Sequence, residues 1–518
     1  MKKILEKIKY IYGLYRYRKL LLNLPSKHIL DQDHILFNAV RQNENQLHLE
    51  YFMAYMLAKR GHKCIVLIDD GVLSHWDSVH LSETPKKKLT PMSGNIFKKY
   101  YTKFTSYMVR ITYTHQNITT IRYSDLLSNT NTQHVKHEML KYENHVISSC
   151  KRHSSDPKFH KDIRQKDYYK SSMQNALLIT EVANKVLLNY NIKKLITSHG
   201  IYTTWGVFHD IFKESGINSD IYGLFIYQYK SIFLSKEPEQ QLSKNKSWHI
   251  ASKKSLSNRN IKKVDTFFQN RIKYMGEDSK YYFLDKNLNN RKIVRGDGEF
   301  VFGMFPNVVW DGDIKDWNIN YSGVLDWVIS TAKLFEGSKH KLVIRFHPSE
   351  KTLNHWADSL EDLVIKEFPN IKKMKNVILM SAAYELDIYN FIKDEIDIGL
   401  IYDGILGLEM TYMGIPNISC AEGRYGDVNF SIEPKTKNSY EDLINDPIKT
   451  IEVFNNNLHE RKERLYKFTH WYVEESIYEL PIVDGKSFYC VDISNLQRND
   501  IDERYNFQLK ETLNKLES

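Results

Sequence analysis

Cysteine, proline and glycine are all scarce in this sequence, and it has no long apolar run. Its four cysteines form no CxxC pair, so nothing indicates a disulfide framework or a zinc site. Gly (22) and Pro (12) are too few for a collagen-like or low-complexity chain. No stretch reaches the roughly 18 apolar residues of a transmembrane helix, and the start lacks a signal peptide's apolar core. These absences predict a folded protein of the cytoplasm.

A net charge of +10 is compatible with three classes of anionic partner: nucleic acid, an anionic membrane, or anionic small substrates. Residues 1–24 contain seven Lys or Arg and one Glu, and Ile4, Ile8, Ile11 and Tyr15 recur at helical spacing. This pattern is typical of a helix lying on an anionic membrane surface, at its cytoplasmic face. A helix that packs the same stripe against its own domain is the alternative. No nucleic-acid-binding motif is present, so nucleic acid is not expected as a partner.

Apolar strands alternate with amphipathic helices in two separate series, which is the pattern of a parallel α/β sheet. Strands are predicted at 34–38, 63–68, 194–197 and 220–225, and again at 299–304, 341–346, 376–380, 397–402 and 416–419. Residues 72–190 read as mostly helical. We therefore predict an α/β protein with two Rossmann-like, doubly wound domains facing a cleft, plus helical insertions. The expected segments are a basic amphipathic start at 1–24, domains at 25–290 and 291–452, and a helical tail at 453–518 that packs back on the first domain.

Open α/β sheets bind ligands at the carboxyl ends of their strands, and two strand ends of the second half carry suggestive residues. Arg345, His347 and Pro348 end one strand. The guanidinium fits a phosphate, and the imidazole can donate to an oxygen that gains charge. A strand-end histidine bonded to a backbone carbonyl is the alternative interpretation.

A second turn, Tyr402 to Glu409, follows a strand and opens a helix. Gly404 and Gly407 allow close backbone approach, and the helix start offers N–H groups to an anion. Glu409 could accept hydrogen bonds from ribose hydroxyls. A tight strand–helix turn with a capping acid is the alternative. The spacing matches neither a dinucleotide fingerprint nor a P-loop, which excludes dehydrogenase and ATPase classes.

In the first half, Asp69-Asp70-Gly71 and Ser198-His199-Gly200 also follow strands. A carboxylate or imidazole at such a position can act as general base for an acceptor hydroxyl, so Asp70 and His199 are the candidates, in that order. An aspartate that only shapes a turn before glycine is the alternative for Asp70.

The order of these motifs resembles the bacterial capsule polysaccharide biosynthesis family, whose members are similar to GT-B glycosyltransferases, including Kdo transferases. The resemblance runs from about 33 to 435 and rests on Asp-Gly at 70–71, Ser-His-Gly at 198–200, Asn-Val-x-Trp-Asp at 307–311, Asp-Trp at 326–327, Val-Ile-Arg-x-His-Pro-x-Glu at 343–350, and Gly-x-x-Gly-x-Glu with Gly-Ile-Pro at 404–416.

The resemblance implies a glycosyltransferase that moves a sugar from a nucleotide-activated donor to a growing capsule or surface polysaccharide. The acceptor would be a glycan or a lipid-linked glycan. The first domain would receive the acceptor and the second the donor, with a CMP- or CDP-linked donor favoured. His347 would act at the leaving phosphate, and the donor would contact Arg345, Pro348, Ser381, Tyr402, Gly404, Gly407 and Glu409. Asp403 and Ile405 depart from the family, where Ser or Thr is frequent, and an Asp facing a phosphate is unfavourable unless it points away or meets a cation.

No metal and no cofactor are expected, because Asp311-Gly312-Asp313 reads as a loop rather than a metal-binding motif. Two alternatives remain open. One is a CDP-polyol phosphotransferase of teichoic-acid-like polymers, and the other is a non-catalytic glycan-binding component of capsule assembly or export.

Overall fold

The computed structural model describes residues 2–29, 32–40, 44–74, 106–127, 141–154, 167–224, 230–276, 288–308, 321–350, 359–483 and 491–518. They form two compact units. Unit 1 comprises Met1–Cys150, Arg164–Pro238 and Ser476–Ser518, and unit 2 comprises Lys151–Ile163 and Glu239–Glu475. The chain thus changes units near 238 and 475, whereas 290 and 452 were expected. Residues 239–272 belong to unit 2 because their helices pack there, as the ion pair between Arg271 and Glu409 shows.

Unit 1 is built on a seven-stranded sheet. Its elements are α1 (Lys2–Leu22), β1 (His34–Asn38), α2 (Glu44–Lys59), β2 (Lys63–Ile68), β3 (Ile118–Arg122), α3 (Tyr123–Leu127), α4 (Glu143–Ser154), α5 (Asp167–Asn189), β4 (Ile192–Ser198), α6 (Thr203–Glu214), β5 (Asn218–Leu224) and β6 (Ser231–Ser235), followed after unit 2 by β12 (Ile477–Glu479), α16 (Arg498–Ile501) and α17 (Phe507–Glu517). The strand order is β12-β6-β5-β4-β1-β2-β3, and β6 runs antiparallel to both of its neighbours, β5 and β12. The order β3-β2-β1-β4-β5 is that of a Rossmann sheet.

Unit 2 is built on a five-stranded, fully parallel sheet. Its elements are α7 (Lys246–Ala251), α8 (Asn258–Ile272), β7 (Val301–Phe305), α9 (Val324–Leu334), β8 (Lys341–Arg345), α10 (Leu360–Glu367), β9 (Val377–Met380), α11 (Ile388–Glu395), β10 (Ile398–Ile401), α12 (Leu406–Met413), β11 (Asn417–Ser419), α13 (Lys437–Asn445), α14 (Pro447–Asn456) and α15 (Leu458–His470). The order β9-β8-β7-β10-β11 again has the Rossmann pattern. The predicted fold class, two Rossmann-like units, is therefore confirmed.

The core of unit 2 shows why its strands read so clearly in the sequence. The strands β7, β8 and β10 carry fully buried apolar runs because helices cover both faces of the sheet. On α9, Trp327 is completely buried, and its Nε1 donates to the hydroxyl of Tyr440 at 2.8 Å. The indole N–H and the phenol hydroxyl of this buried pair thus satisfy each other.

The N-terminal helix α1 is docked on unit 1 by one face. Leu14, Tyr17 and Leu21 are buried in the core of unit 1. Ile11 and Tyr15 belong to the stripe that the sequence analysis selected, and they stay exposed at 39% and 56%. A helix turns 100° per residue, so the exposed stripe lies on a different face from the buried one. In the described part of the chain, no helix is long and apolar enough to cross a bilayer.

Candidate functional site

The predicted donor residues of unit 2 lie at one edge of the sheet. The turns after β8 and β10 share the carboxyl edge, with β7 between them. Two strand spacings separate the turns by about 10 Å. Asn307, just beyond β7, stands between them and donates from Nδ2 to the carbonyl of Asp403 at 2.8 Å. Because the chain leaves β7 and β10 in opposite directions across the sheet, this point is the topological switch of the unit, where such folds bind ligands.

His347 is held in a defined tautomer at this edge. Its Nδ1 accepts a hydrogen bond from the Ser349 amide at 3.1 Å, and the Glu350 amide donates to its carbonyl at 3.0 Å. Because Nδ1 acts as acceptor, the neutral ring carries its proton on Nε2. Pro348 ends the strand, so the half-buried imidazole sits at the tip of β8. A ring fixed in this way presents an N–H donor.

Arg345 forms hydrogen bonds with backbone carbonyls in this structure. Its guanidinium donates to the carbonyls of Phe346, Ser381 and Tyr384 at 2.6–2.9 Å and is 7% exposed. Burial lowers its pKa to about 10. The side chain thereby holds the loop after β9 in place. Donor binding by Arg345, and by Ser381 in the same loop, stays a prediction.

Asp403 meets a cation, which is one of the two arrangements that the sequence analysis left open. Its Oδ1 accepts from the Arg424 amide at 2.9 Å, and the Arg424 Nε lies 3.5 Å from its Oδ2. The loop carrying Arg424 is fixed by Gly423, where an added Cβ would come within 2.4 Å of Asp403. The Arg424 side chain is about a quarter exposed (27%), so part of this cation reaches solvent next to Asp403. Nothing in the motifs pointed to it.

Tyr402, Gly404 and Gly407 shape the turn into α12. Tyr402 is buried and packs on Trp327 with ring centroids 5.4 Å apart. A Cβ at Gly404 would have no neighbour closer than 3.9 Å, so the backbone there is approachable. Gly407 lies in the first turn of α12 and is buried. The N-terminal amides of α12 therefore begin beside an accessible stretch of backbone.

Glu409 is engaged inside unit 2. Its Oε1 accepts from the Nε of Arg271 at 2.5 Å and from the hydroxyl of Tyr389 at 3.0 Å, and the residue is 1% exposed. These contacts hold α12 against α8 and α11. The predicted ribose contact stays a prediction, while the observed role of Glu409 is that of a buried ion-pair partner.

The aspartates after β2 organise their own turn. Asp69 is fully buried, and its Oδ1 accepts from the amides of Gly71, Val72 and Leu73 at 2.8–3.2 Å. Asp70 accepts from the amide and the hydroxyl of Ser124, at 3.1 and 2.6 Å, at the start of α3. The carboxylate of Asp70 is thus occupied in joining two neighbouring strand ends.

His199 occupies the topological switch of unit 1, at the tip of β4 beside β1. The backbone of His199 has the left-handed conformation, with φ 53°, and Gly200 follows with φ 72°. Its Nδ1 lies 2.5 Å from the hydroxyl of Ser198, and its ring stacks on buried Trp205 at 4.9 Å between centroids. A left-handed residue other than glycine costs conformational energy and clusters at functional sites.

The structure therefore brings together His347, Asn307, Asp403 and the start of α12 at one edge of unit 2. It places His199 and Asp70 at strand ends of unit 1. Among the described residues, no cluster of His, Cys, Asp and Glu is arranged to hold a metal ion. Asp311 and Asp313 lie outside the described residues.

Solved structures with similar folds include glycosyltransferases. The β-Kdo 2,4 transferase KpsC of Thermosulfurimonas dismutans matches at 9% identity over 57% of this chain and 84% of its own, with a TM-score of 0.38. A β-Kdo 2,7 transferase KpsC of the same organism matches at 11% identity over 59% and 84%, with a TM-score of 0.35. Anabaena Alr3699/HepE, solved with UDP and glucose, matches at 10% identity over 85% and 97%, with a TM-score of 0.26.

No protein-family model matches the sequence, and no curated protein is similar to it. The strand orders of the two sheets carry the assignment of two Rossmann-like units.

The ion pair of Glu409 generates a test of its role. Replacing Glu409 by Gln leaves the Arg271 charge buried without its counterion, and we expect a loss of about 3 kcal/mol in the free energy of unfolding. Urea denaturation measures this loss. Glu441→Gln, which removes a surface ion pair with Lys437, is the matched control and should cost less than about 1 kcal/mol. Unchanged stability together with weakened nucleotide binding would show that Glu409 serves the ligand instead.

Glu350, next to this edge, has an unusual carboxyl group. It is 1% exposed, its Oε1 accepts from the Leu360 amide at 3.1 Å, and its Oε2 is buried without a hydrogen-bond partner among the described residues. Burial raises the pKa of Glu350 to about 7, from an ordinary value of 4.5, and the neighbouring Glu361 and Asp362 add to the shift. The folded protein therefore favours the protonated carboxyl.

This raised pKa predicts a pH dependence of stability. Between pH 4.5 and about 7 the folded state binds the proton that the unfolded state has released, so stability should fall as pH rises through that window. Wild type should lose up to about 3 kcal/mol relative to Glu350→Gln, which cannot ionise. Urea titrations of both proteins at several pH values measure the difference. Parallel pH curves for the two proteins would contradict the prediction.

Proposed function

We propose that the chain is a glycosyltransferase that moves a sugar from a nucleotide-activated donor to a growing capsule or surface polysaccharide. One observation carries this proposal. At the topological switch of unit 2, a histidine with its proton on Nε2, the amides of a helix start and an arginine-balanced aspartate share one sheet edge. Such groups stabilise a phosphate that gains negative charge as it leaves a sugar.

On the donor side, His347 would donate from Nε2 to a leaving phosphate oxygen, and the approachable backbone from Gly404 to Leu406, where α12 begins, would receive the phosphate. The amides of Gly407 and Leu408 already donate to the carbonyls of Gly404 and Ile405, at 3.1 and 3.0 Å. Arg424 supplies the positive charge that offsets Asp403, so the aspartate does not repel the ligand. The neutral Nε2–H and the backbone amides provide the stabilisation without requiring a divalent ion in this proposal. A CMP- or CDP-linked donor is the preferred class, from the resemblance of the His-Pro motif.

On the acceptor side, His199 is now the preferred general base. The carboxylate of Asp70 is hydrogen-bonded to Ser124. The His199 ring is instead half-buried at the topological switch of unit 1, and its Nδ1 is hydrogen-bonded to Ser198. We assign Nε2 of His199 to the acceptor hydroxyl. Proton removal from that hydroxyl would accompany its attack on the sugar carbon that the donor phosphate leaves.

A nucleotide panel tests the donor site. CMP, CDP, UDP, GDP and dTDP are added to wild type, to His347→Ala and to the surface control His459→Ala, and the unfolding midpoint is measured. A nucleotide at 100 times its Kd should stabilise the folded state by about 2.7 kcal/mol. We expect a cytidine nucleotide to raise the midpoint of wild type and of the control, and to have little effect on His347→Ala. Equal shifts in all three proteins would refute the site.

We further propose that the protein works at the cytoplasmic face of an anionic membrane, through the exposed face of α1. Ile11, Tyr12 and Tyr15 are exposed while the opposite face is buried in unit 1. The exposed cations Lys9 and Lys19 lie on the same helix, and Lys19 sits over the Tyr15 ring at 4.8 Å. Aromatic rings beside basic side chains suit the headgroup region, where a lipid-linked acceptor would be found.

Charge removal on α1 tests this contact without disturbing the buried face. Lys9→Gln combined with Lys19→Gln should weaken binding to phosphatidylserine-containing vesicles roughly ten-fold or more. Lys253→Gln with Lys254→Gln removes the same charge from exposed positions of unit 2 and should leave binding unchanged. Vesicle sedimentation measures both. If the two double variants lose vesicle binding equally, binding depends only on net charge, and the proposed role of α1 is contradicted.

A further inference from the structure

The strained turn that carries His199 is tied to a second histidine. His145, on α4, has Nδ1 at 2.7 Å from the carbonyl of Ile201 and Nε2 at 2.8 Å from Oδ2 of Asp210. Ile201 directly follows the two left-handed residues His199 and Gly200. The ring therefore binds the chain at the point where it leaves that turn.

The chemistry of the two partners fixes the state of the His145 ring. A carbonyl oxygen accepts hydrogen bonds only, and so does an ionised carboxylate, so both ring nitrogens must donate. Although burial alone would raise it, the hydrogen bond and charge of His145 keep the pKa of Asp210 below its usual value. The ring thus bridges the Asp210 carboxylate and the Ile201 carbonyl, and hydrogen bonds to an ionised carboxylate are stronger than neutral ones.

The surrounding residues are arranged to admit this ring. A Cβ at Gly206 would lie 2.2 Å from Nδ1 of His145, so glycine at that position leaves the space that the imidazole fills. Helix α4, which carries His145, makes two further contacts with the start of α6. The amide of Thr203 donates to the Ser149 hydroxyl at 2.8 Å, and the Thr203 hydroxyl donates to the His145 carbonyl at 3.3 Å.

Other titratable groups close to the ring do not compete for it. His209, on α6, is 1% exposed, and burial lowers its pKa to about 4, so it stays neutral. Lys213 pairs with Glu237 at 2.8 Å. Asp210 is the acid that hydrogen-bonds to the ring, and it stands one helical turn before Lys213 on α6.

We propose that His145 is a positioning residue that holds the left-handed turn at His199–Gly200, and thereby aims the His199 ring, by binding the Ile201 carbonyl under the control of Asp210. This inference rests on the proposed function for the role of His199 as base. The holding of the turn itself does not depend on that role. A turn with a left-handed non-glycine residue persists only when its surroundings enforce it, and His145 supplies that enforcement.

Hydrogen–deuterium exchange of the peptide spanning 198–206 tests the holding of the turn. His145→Ala removes the ring, and Gly206→Ala displaces it while leaving it in the sequence. Both should speed exchange in this peptide roughly ten-fold, the effect of losing a strong hydrogen bond in a locally opening segment. Asp210→Asn should retain most of the protection, because an amide can donate to Nε2 while Nδ1 still donates to Ile201.

Lys141→Gln is the matched control. It breaks the exposed ion pair between Lys141 and Glu214, which joins the residues before α4 to the end of α6 without contacting the turn. Its exchange in the 198–206 peptide should equal that of wild type. If His145→Ala and Gly206→Ala match this control, the proposal is overturned. Gly206→Ala alone decides the question if His145→Ala does not fold.

Kinetics separate the inference from the proposed function. With a cytidine-nucleotide sugar as donor, both ring variants should lower kcat while leaving the KM for the donor unchanged, since the donor site belongs to unit 2. Loss of turnover in His199→Ala with normal kcat in the His145 and Gly206 variants would overturn the positioning role. Faster exchange in those variants with full turnover in His199→Ala would support the held turn and refute His199 as the base.

Discussion

Helices cover both faces of the sheets in this protein, and this single constraint decides where polar chemistry can stand. When both faces of a parallel sheet are covered, the side chains of its strands do not contact solvent. Polar groups therefore reach solvent where the strands end. The order 3-2-1-4-5 then puts the ends of β1 and β4 side by side in unit 1, and those of β7 and β10 in unit 2. His199, Asn307 and Asp403 stand at these two points. Their position at these points follows from the strand order rather than from any local motif.

Most strands of the two sheets could be predicted from the sequence because buried parallel strands are runs of apolar residues. Runs such as those at 34–38, 63–68 and 341–345 are almost wholly apolar, and they were located to within a residue. The strands that escaped prediction lie toward the edges. The alternating, partly exposed residues of β3 resemble a helix or loop, and β12 has three residues. Edge strands are half-solvated, so their composition carries little information about pairing.

Side-chain roles were harder to foresee, because partners come from distant parts of the chain. Arg345 and Glu409 have the residue types of ligand-binding groups at the right strand ends, yet they bind a loop 36 to 39 residues away and an arginine 138 residues away. Conversely, Arg424 and His145 belong to no motif. The one available signal for Arg424 was electrostatic, since a cation near Asp403 was one of two ways to make an aspartate acceptable beside the predicted phosphate. His145 had no comparable signal, because its partners, Ile201 and Asp210, are 56 and 65 residues away.

The last 43 residues have a consequence for how the chain acquires its structure. Strand β12 pairs with β6, and the Leu516 carbonyl receives the buried ammonium of Lys194, so unit 1 uses both ends of the polypeptide. Most of unit 2, residues 239–475, is one uninterrupted stretch between them. During synthesis, which runs from the N-terminus, that stretch can complete its core before residues 476–518 are made, while unit 1 must wait for them. A nascent chain therefore carries an unfinished N-terminal sheet until those residues emerge, and chaperone demand should concentrate there.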